Sequence, residues 1–60
     1  MARYEVKLKN SKSYIYIIDC DTCQKGGLDI DFYKYDNAGR KELVASFDKH
    51  SVECVVKVGD

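Results

Sequence analysis

The chain has 60 residues, 45% of them hydrophobic, and its ten Lys and Arg residues balance ten Asp and Glu residues. This length predicts one domain with a small core, and the balanced charge excludes a general electrostatic attraction to nucleic-acid backbones or anionic lipid. No stretch is long and apolar enough to span a membrane, and the N-terminal "MARYEVKLKN" has no signal-peptide core. We therefore expect a cytoplasmic protein.

The first third of the chain predicts two strands joined by a turn. Apolar and charged residues alternate over 3–8, which is typical of a strand with one buried face, and turn formers follow at 10–13. The second strand, 14–20, reads "YIYIIDC" and leaves neither face polar until its end. An additional apolar contact is needed to cover its second face.

The middle of the chain predicts a connection and then a hairpin. The segment 20–27 contains Gly26 and Gly27, which can supply positive φ angles, and we interpret it as a connection. Strands follow at 28–35 and 42–47. Between them, "DNAGR" is the strongest turn signal of the chain, with its glycine available for a left-handed position.

A last strand at 52–58 completes the predicted fold, which is all-β. Five short antiparallel strands joined by tight turns form a meander, either a curled sheet or a small barrel of the SH3-like size class. The alternative is a short helix in "KELVASFDKH", but Val44 and the β-branched and aromatic residues near it favour a strand.

Strict alternation leaves more apolar side chains than one sheet face can bury. The expected core comprises Tyr4, Val6, Leu8, Ile18, Leu28, Ile30, Phe32, Leu43, Phe47, Val52, Val56 and Val58. The apolar side chains then left on the opposite face are Ile15, Ile17, Tyr33, Tyr35, Val44 and Val55. A patch of this size on a small domain indicates an interaction site, unless the sheet closes tightly enough to bury it.

The predicted function is a small non-enzymatic protein-interaction module. The partner most easily supplied is a second copy of the chain, packed sheet to sheet or edge to edge about a two-fold axis. A larger protein that the domain regulates or inhibits is the other candidate partner. Tyr33 and Tyr35 would contribute most to binding, because a tyrosine offers a rigid apolar ring with a polar tip.

A nucleic-acid-binding module is the alternative function. Tyrosines would stack on bases, namely Tyr4, Tyr14, Tyr16, Tyr33 or Tyr35. The cationic side chains for phosphate contacts would be Lys7, Lys9, Lys12, Lys34, Arg40 and Lys41. Zero net charge and acidic neighbours disfavour this alternative.

The cysteines raise the question of a metal site. Cys20, Cys23, His50 and Cys54 are four residues of types that zinc binds, and the first pair has ligand spacing. On an extended strand, however, His50 and Cys54 would lie roughly 13 Å apart. Cys54 also alternates in phase with core valines. We favour three reduced, unrelated thiols over zinc.

No catalytic motif stands out, and no cofactor is expected. His50 lies near Asp48 in sequence, but a histidine in "DKHS" is typical of a solvated turn. Asp29 and Asp31 lie on one face of the predicted strand, and this arrangement is typical of a solvent-exposed sheet face rather than of a cation site. The prediction is therefore that the protein is not an enzyme.

Overall fold

The computed structural model describes residues 1–10 and 15–59 of the chain. The strands in these residues are β1 (Ala2–Leu8), β2 (Ile15–Cys20), β3 (Thr22–Lys25), β4 (Asp29–Tyr35), β5 (Lys41–Asp48) and β6 (Val52–Gly59), with a short 3₁₀ helix at Lys49–Ser51. The predicted all-β, antiparallel fold is confirmed, with one strand more than expected.

These strands form two three-stranded sheets. The first sheet has the order β2-β1-β6 and the second has the order β3-β4-β5. Asp21 alone separates β2 from β3, so the chain passes directly from one sheet into the other. The interpretation of 20–27 as a connection is therefore wrong, because Thr22–Lys25 pairs with β4.

The core lies between the two sheets and is centred on aromatic rings. Phe32 is fully buried, and its ring centroid lies 5.4 Å from that of Tyr4 and 5.9 Å from that of Phe47. The other fully or nearly fully buried side chains are Ala2, Val6, Cys20, Ile30 and Val52. The two sheets thus bury one shared layer, and each leaves an outer face to solvent.

The β4–β5 hairpin confirms the predicted turn. Gly39 has a φ of 80°, the left-handed conformation that glycine adopts without strain. Asp36 closes the turn, since one of its carboxylate oxygens accepts the backbone N–H groups of Ala38 at 2.9 Å and Arg40 at 2.8 Å. Gly39 alone has a positive φ among the described residues, so the expectation for Gly26 and Gly27 is wrong.

Segment 41–48 is a strand, as preferred over the helical alternative. The 3₁₀ helix that follows is capped by Asp48, whose carboxylate accepts the backbone N–H of His50 at 3.0 Å. The turn formers at 11–13 and Tyr14 lie outside the described residues.

Four residues of the expected core are instead exposed: Leu28, Leu43, Val56 and Val58. Leu28 belongs to the bend before β4 rather than to the strand. The others follow irregular pairing, since β6 shifts register at both ends against β1 and β5 shifts against β4. A bulge adds one residue and reverses the alternation beyond it.

Candidate interaction surface

The segment without a polar face, 15–20, divides its side chains between the core and solvent. Three residues of this segment point toward the second sheet: Tyr16, Ile18 and Cys20. Their partners in β1 are Val6, Tyr4 and Ala2, in that order. The ring of Tyr16 packs against that of Phe47, with ring centroids 5.6 Å apart, while Tyr16 remains 42% exposed.

The remaining apolar residues of this segment, Ile15 and Ile17, point the other way and are 48% and 51% exposed.

The outer face of the first sheet combines these isoleucines with residues of β1 and β6. Because partners in antiparallel strands share a face, Glu5 lies between Ile17 and Val56, and Lys7 lies between Ile15 and Cys54. Val56 is 49% exposed. We call the side chains of Glu5, Lys7, Ile15, Ile17, Cys54 and Val56 the outer apolar face.

Ion pairs compensate most charges around the outer apolar face. At one end, the Arg3 guanidinium donates to both carboxylate oxygens of Asp19, at 2.8 and 3.2 Å. This hydrogen bond lowers the pKa of the Asp19 carboxyl below its usual value and raises the pKa of Arg3. At the other end, Lys7 Nζ lies 3.3 Å from Glu53 Oε2. The outer apolar face thus carries charges of both signs, so it repels neither an acidic nor a basic partner strongly.

The outer face of the second sheet carries a polar network beside the exposed side chain of Leu43, which pairs with Tyr33. Asp31 accepts the hydroxyl of Ser46 at 2.6 Å and that of Tyr33 at 3.4 Å. Lys41 Nζ lies 4.0 Å from the centre of the Tyr33 ring and donates to Gln24 Oε1 at 3.0 Å. Burial and the neighbouring Asp31 carboxylate raise the pKa of the Tyr33 hydroxyl. This network half-buries Tyr33.

The six residues predicted to form one interface do not lie together. Ile15 and Ile17 are on the outer apolar face, whereas Tyr33 is on the outer face of the second sheet, beneath Lys41. Val55 points inward opposite Val6 and packs against the core. The other two are exposed: Tyr35 ends β4, and Val44 is the extra residue at the β5 register shift.

Sequence reasoning missed Val56 as a surface residue. Its alternation with Val52 and Val58 predicts a common face, but the register shifts near Glu53 and Val58 place Val52 inward and Val56 outward. The adjacent pair of valines at 55 and 56, which must point to opposite faces in a regular strand, is the signal that one of them is exposed.

The cationic residues of the nucleic-acid alternative do not form one stripe. Lys7 pairs with Glu53 on the first sheet, while Arg40 Nε donates to Asp36 at 3.0 Å in the β4–β5 turn. Lys41 belongs to the polar network of the second sheet. Lys34 lies directly opposite Glu42 in the β4–β5 strand pair, and Lys9 lies beyond the end of β1. Lys12 lies outside the described residues.

The four residues of the zinc alternative are not gathered either. Cys20 is buried and Cys23 is half-buried against the core, whereas Cys54 is exposed on the outer apolar face. In the described part of the chain, no three His, Cys, Asp or Glu residues are grouped so as to hold a metal ion. Burial raises the pKa values of the Cys20 and Cys23 thiols, which reduces their reactivity as nucleophiles.

Two open depressions mark the ends of the first sheet. One, of about 350 Å³, is lined by Leu8, Lys9, Asn10, His50 and Ser51, and the other, of about 430 Å³, is lined by Met1, Arg3, Asp19, Val58 and Gly59. His50 lines the first depression, and its backbone N–H donates to the Asp48 carboxylate, which caps the 3₁₀ helix. Helix capping therefore explains why Asp48 and His50 lie two residues apart in sequence.

Searches of protein-family models, curated proteins and solved structures find no match to this chain. Among the described residues, no helix has the length and apolar character needed to cross a bilayer.

Proposed function

We propose that the protein is a small non-enzymatic interaction module that associates with a second copy of itself through its first sheet. A larger protein that it regulates would compete with the second copy for the same outer apolar face. One observation carries this proposal: Ile15, Ile17 and Val56 remain about half exposed on one face. Each fully buried side chain of this kind contributes about 1.5 to 3 kcal/mol, which a small domain obtains only by covering the face.

The charge distribution supports a second copy as partner. The chain carries ten cationic and ten anionic residues, so two copies have no net repulsion as they approach. The outer apolar face presents Glu5 and Lys7 side by side on β1, and a two-fold axis can bring opposite charges of two copies together.

A protein partner has more support than a nucleic acid. Lys7 and Arg40 each have a carboxylate partner within 3.3 Å, and Lys41 is engaged by Gln24 and Tyr33. Phosphate binding would have to displace these partners, whereas apolar association uses side chains that are already exposed.

We also propose that the fold is a small SH3-like barrel. The direct passage from β2 to β3 supports this, because strands turn the corners of small orthogonal barrels in this way.

We further propose a cytoplasmic location. Cys20 and Cys54 point to opposite faces of the first sheet and both are free thiols, which is typical of proteins in the reducing cytoplasm.

The test is the molecular mass in solution, measured by sedimentation from low micromolar to near-millimolar concentration. We expect a monomer that converts to a dimer as concentration rises. Val56→Asp should weaken the association by about tenfold or more, because burying an unpaired charge costs more than the 1.4 kcal/mol that tenfold represents.

The matched control is Leu28→Asp. Leu28 is 71% exposed and lies in the bend before β4, so the same change is made outside the first sheet. It should leave the dimer intact. A single-copy mass at every concentration, or equal weakening by both variants, would contradict the proposal.

A further inference from the structure

The outer apolar face has a charged centre. Glu5 and Lys7 lie on β1, the middle strand of the first sheet, and both residues are half-buried. Lys7 has Glu53 as its partner, at 3.3 Å. Within the described residues, the Glu5 carboxylate has no hydrogen bond and no ion pair. A second copy that covered this face would bury an unpaired carboxylate unless it also supplied a cation.

Strand pairing arranges the side chains of the outer apolar face in two rows across the sheet. Each row has one charged side chain on β1 between two uncharged ones on β2 and β6. The first row consists of Ile17, Glu5 and Val56, and the second row consists of Ile15, Lys7 and Cys54. The rows lie two residues apart along the strands, which is about 7 Å. The two rows therefore have the same pattern with opposite charges at their centres.

Two-fold symmetry limits how this face can pack on itself. An axis normal to the sheet keeps the same face outward and brings edges together, so face-to-face packing needs an axis in the plane between the two sheets. If that axis runs along β1, each row packs on its own copy, and Glu5 meets Glu5. If the axis crosses β1, the two β1 strands become antiparallel, and the position of the axis decides which rows meet.

An axis that crosses β1 midway between the two rows matches the whole face. It places the first row of each copy on the second row of the other, so Glu5 lies over Lys7 and Lys7 lies over Glu5. The uncharged side chains that meet are Ile17 with Ile15 and Val56 with Cys54. Apolar groups thus cover apolar groups, and opposite charges meet at the centre.

Other positions of a crossing axis are less favourable. An axis through either row puts like charges together again. An axis midway between Arg3 and Glu5 would place Ile17 over Asp19, and the Arg3 guanidinium already donates to both carboxylate oxygens of Asp19. Charge complementarity therefore selects the axis between the two rows.

We propose that two copies pack face to face through their first sheets, about a two-fold axis that crosses β1 midway between Glu5 and Lys7. This inference rests on the self-association proposed above and specifies its geometry. Each dimer contains the Glu5–Lys7 contact twice. The Lys7 ammonium has three N–H groups, so it can keep Glu53 as a partner while it donates to Glu5 of the other copy. The unpaired carboxylate thus gains a cation when it is covered.

The size of the face sets the strength of the association. Three strands about 4.8 Å apart and five residues of β1 at about 3.3 Å each give a footprint of roughly 15 by 15 Å. This is well below the roughly 800 Å² that each partner buries in a standard stable complex. The dimer should therefore be weak and sensitive to concentration.

Charge reversal tests the position of the axis. Glu5→Lys and Lys7→Glu each put like charges in contact twice per dimer, so each should weaken the association in sedimentation by at least about fivefold. The double variant restores opposite charges and should associate more tightly than either single variant. Glu5→Lys is the cleaner single change, because Glu5 has no partner within the described residues to lose, whereas Lys7→Glu also loses the contact with Glu53.

The matched controls reverse the same charges on the second sheet. Lys34 and Glu42 lie directly opposite each other in the β4–β5 pair, and both are exposed. Lys34→Glu and Glu42→Lys should leave the association unchanged. Circular dichroism of each variant checks that it is folded.

Cross-linking tests the same geometry without changing the charges. The unmodified protein is mixed with a Cys54→Ser variant that also carries Val56→Cys, and a short bis-maleimide is added. Because the proposed axis places Val56 over Cys54, a mixed dimer should be joined through these two positions. Mass spectrometry of the linked peptides identifies the positions.

The control for cross-linking combines Cys54→Ser with Ile15→Cys. An axis along β1 would place Cys54 over Ile15, whereas the proposed axis separates them both along and across the sheet. This variant should therefore not be joined to Cys54 of the unmodified protein. Cys20 and Cys23 are present in every sample and contribute a constant background.

The outcomes separate the axis from the association itself. If sedimentation shows a dimer but Glu5→Lys and Lys7→Glu associate as well as the second-sheet controls, the axis is overturned and self-association stands. Stronger cross-linking through Ile15→Cys than through Val56→Cys would also overturn the axis. If sedimentation shows only single copies at every concentration, both proposals fail.

Discussion

The outer faces of the two sheets differ although both come from alternating strands. On the second sheet, Asp31, Ser46, Tyr33 and Lys41 contact one another, so the polar atoms and the tyrosine ring have partners within the chain. On the first sheet, Ile15, Ile17 and Val56 face solvent, and the ion pairs lie at the ends of the face. The second sheet also exposes Leu43 and Tyr35 on its outer face. Its polar groups satisfy one another, however, whereas three aliphatic side chains share the outer face of the first sheet, which makes the first sheet the stronger candidate for an interface.

The largest expected effect comes from breaking the layer that both sheets share. Phe32→Ala removes a fully buried ring and should lower the free energy of unfolding by about 3 to 5 kcal/mol. Because small domains have about 5 to 15 kcal/mol in total, this loss should leave a large unfolded fraction. Urea denaturation followed by circular dichroism measures it.

The control for this change is Leu28→Ala, which should shift the free energy of unfolding by no more than about 0.5 kcal/mol because the side chain is exposed. Hydrogen exchange in β1 and β4 shows whether the sheets unfold together. Persisting protection in β1 after loss of protection in β4 would show that the first sheet is stable without the shared ring.

A smaller effect is expected from the network of the second sheet. Asp31→Ala removes the acceptor for Ser46 and Tyr33 and should cost about 1 kcal/mol of stability. It should not change the dimer mass, because the network lies on the other sheet. Chemical denaturation and sedimentation of the same sample measure the two quantities.

Asp29→Ala is the control for that change. Asp29 lies on the same strand face, opposite Asp48, so its removal relieves repulsion and should leave stability unchanged or raise it slightly. Equal losses for both variants would mean that the hydrogen bonds of Asp31 do not stabilise the second sheet.

The smallest effect is the response to acid. The pKa of Asp19 is lowered by its hydrogen bonds from Arg3, and the pKa of Asp36 is lowered mainly by the backbone N–H of Arg40. The stabilisation from such carboxylates is fully present above their unfolded pKa, near 3.8, and is lost as pH falls through their lower folded values. Unfolding midpoints measured across this range should decrease with falling pH.

Salt separates the two carboxylates. The exposed Arg3–Asp19 pair of the first sheet should be screened, so Asp19→Asn should have less effect on the acid response in high salt than in low salt. Asp36→Asn should keep most of its effect, because the largest contribution to the lowered pKa of Asp36 comes from the neutral backbone N–H of Arg40, whereas the donor to Asp19 is the charged Arg3 guanidinium. The same salt sensitivity for both variants would contradict this assignment.

Local signals allowed much of the fold to be predicted. The alternation in β1, the "DNAGR" turn with Gly39 and the exposure of Ile15 and Ile17 all follow from a few adjacent residues. The candidate surface was predicted less well, because Tyr33 and Val55 depend on contacts with Lys41 and Val6 from distant parts of the chain. The β3 strand was missed because "TCQK" is short and mostly polar and is held by its pairing with β4.

The sequence by itself determined that the protein is built of antiparallel strands and has apolar side chains in excess of one buried face, because side-chain alternation is a property of each strand alone. Only the tertiary structure decided that the strands divide into two sheets, which valine of β6 faces solvent and which tyrosine is covered. These outcomes depend on bulges and on pairing between distant segments, where one extra residue reverses the face of every side chain beyond it.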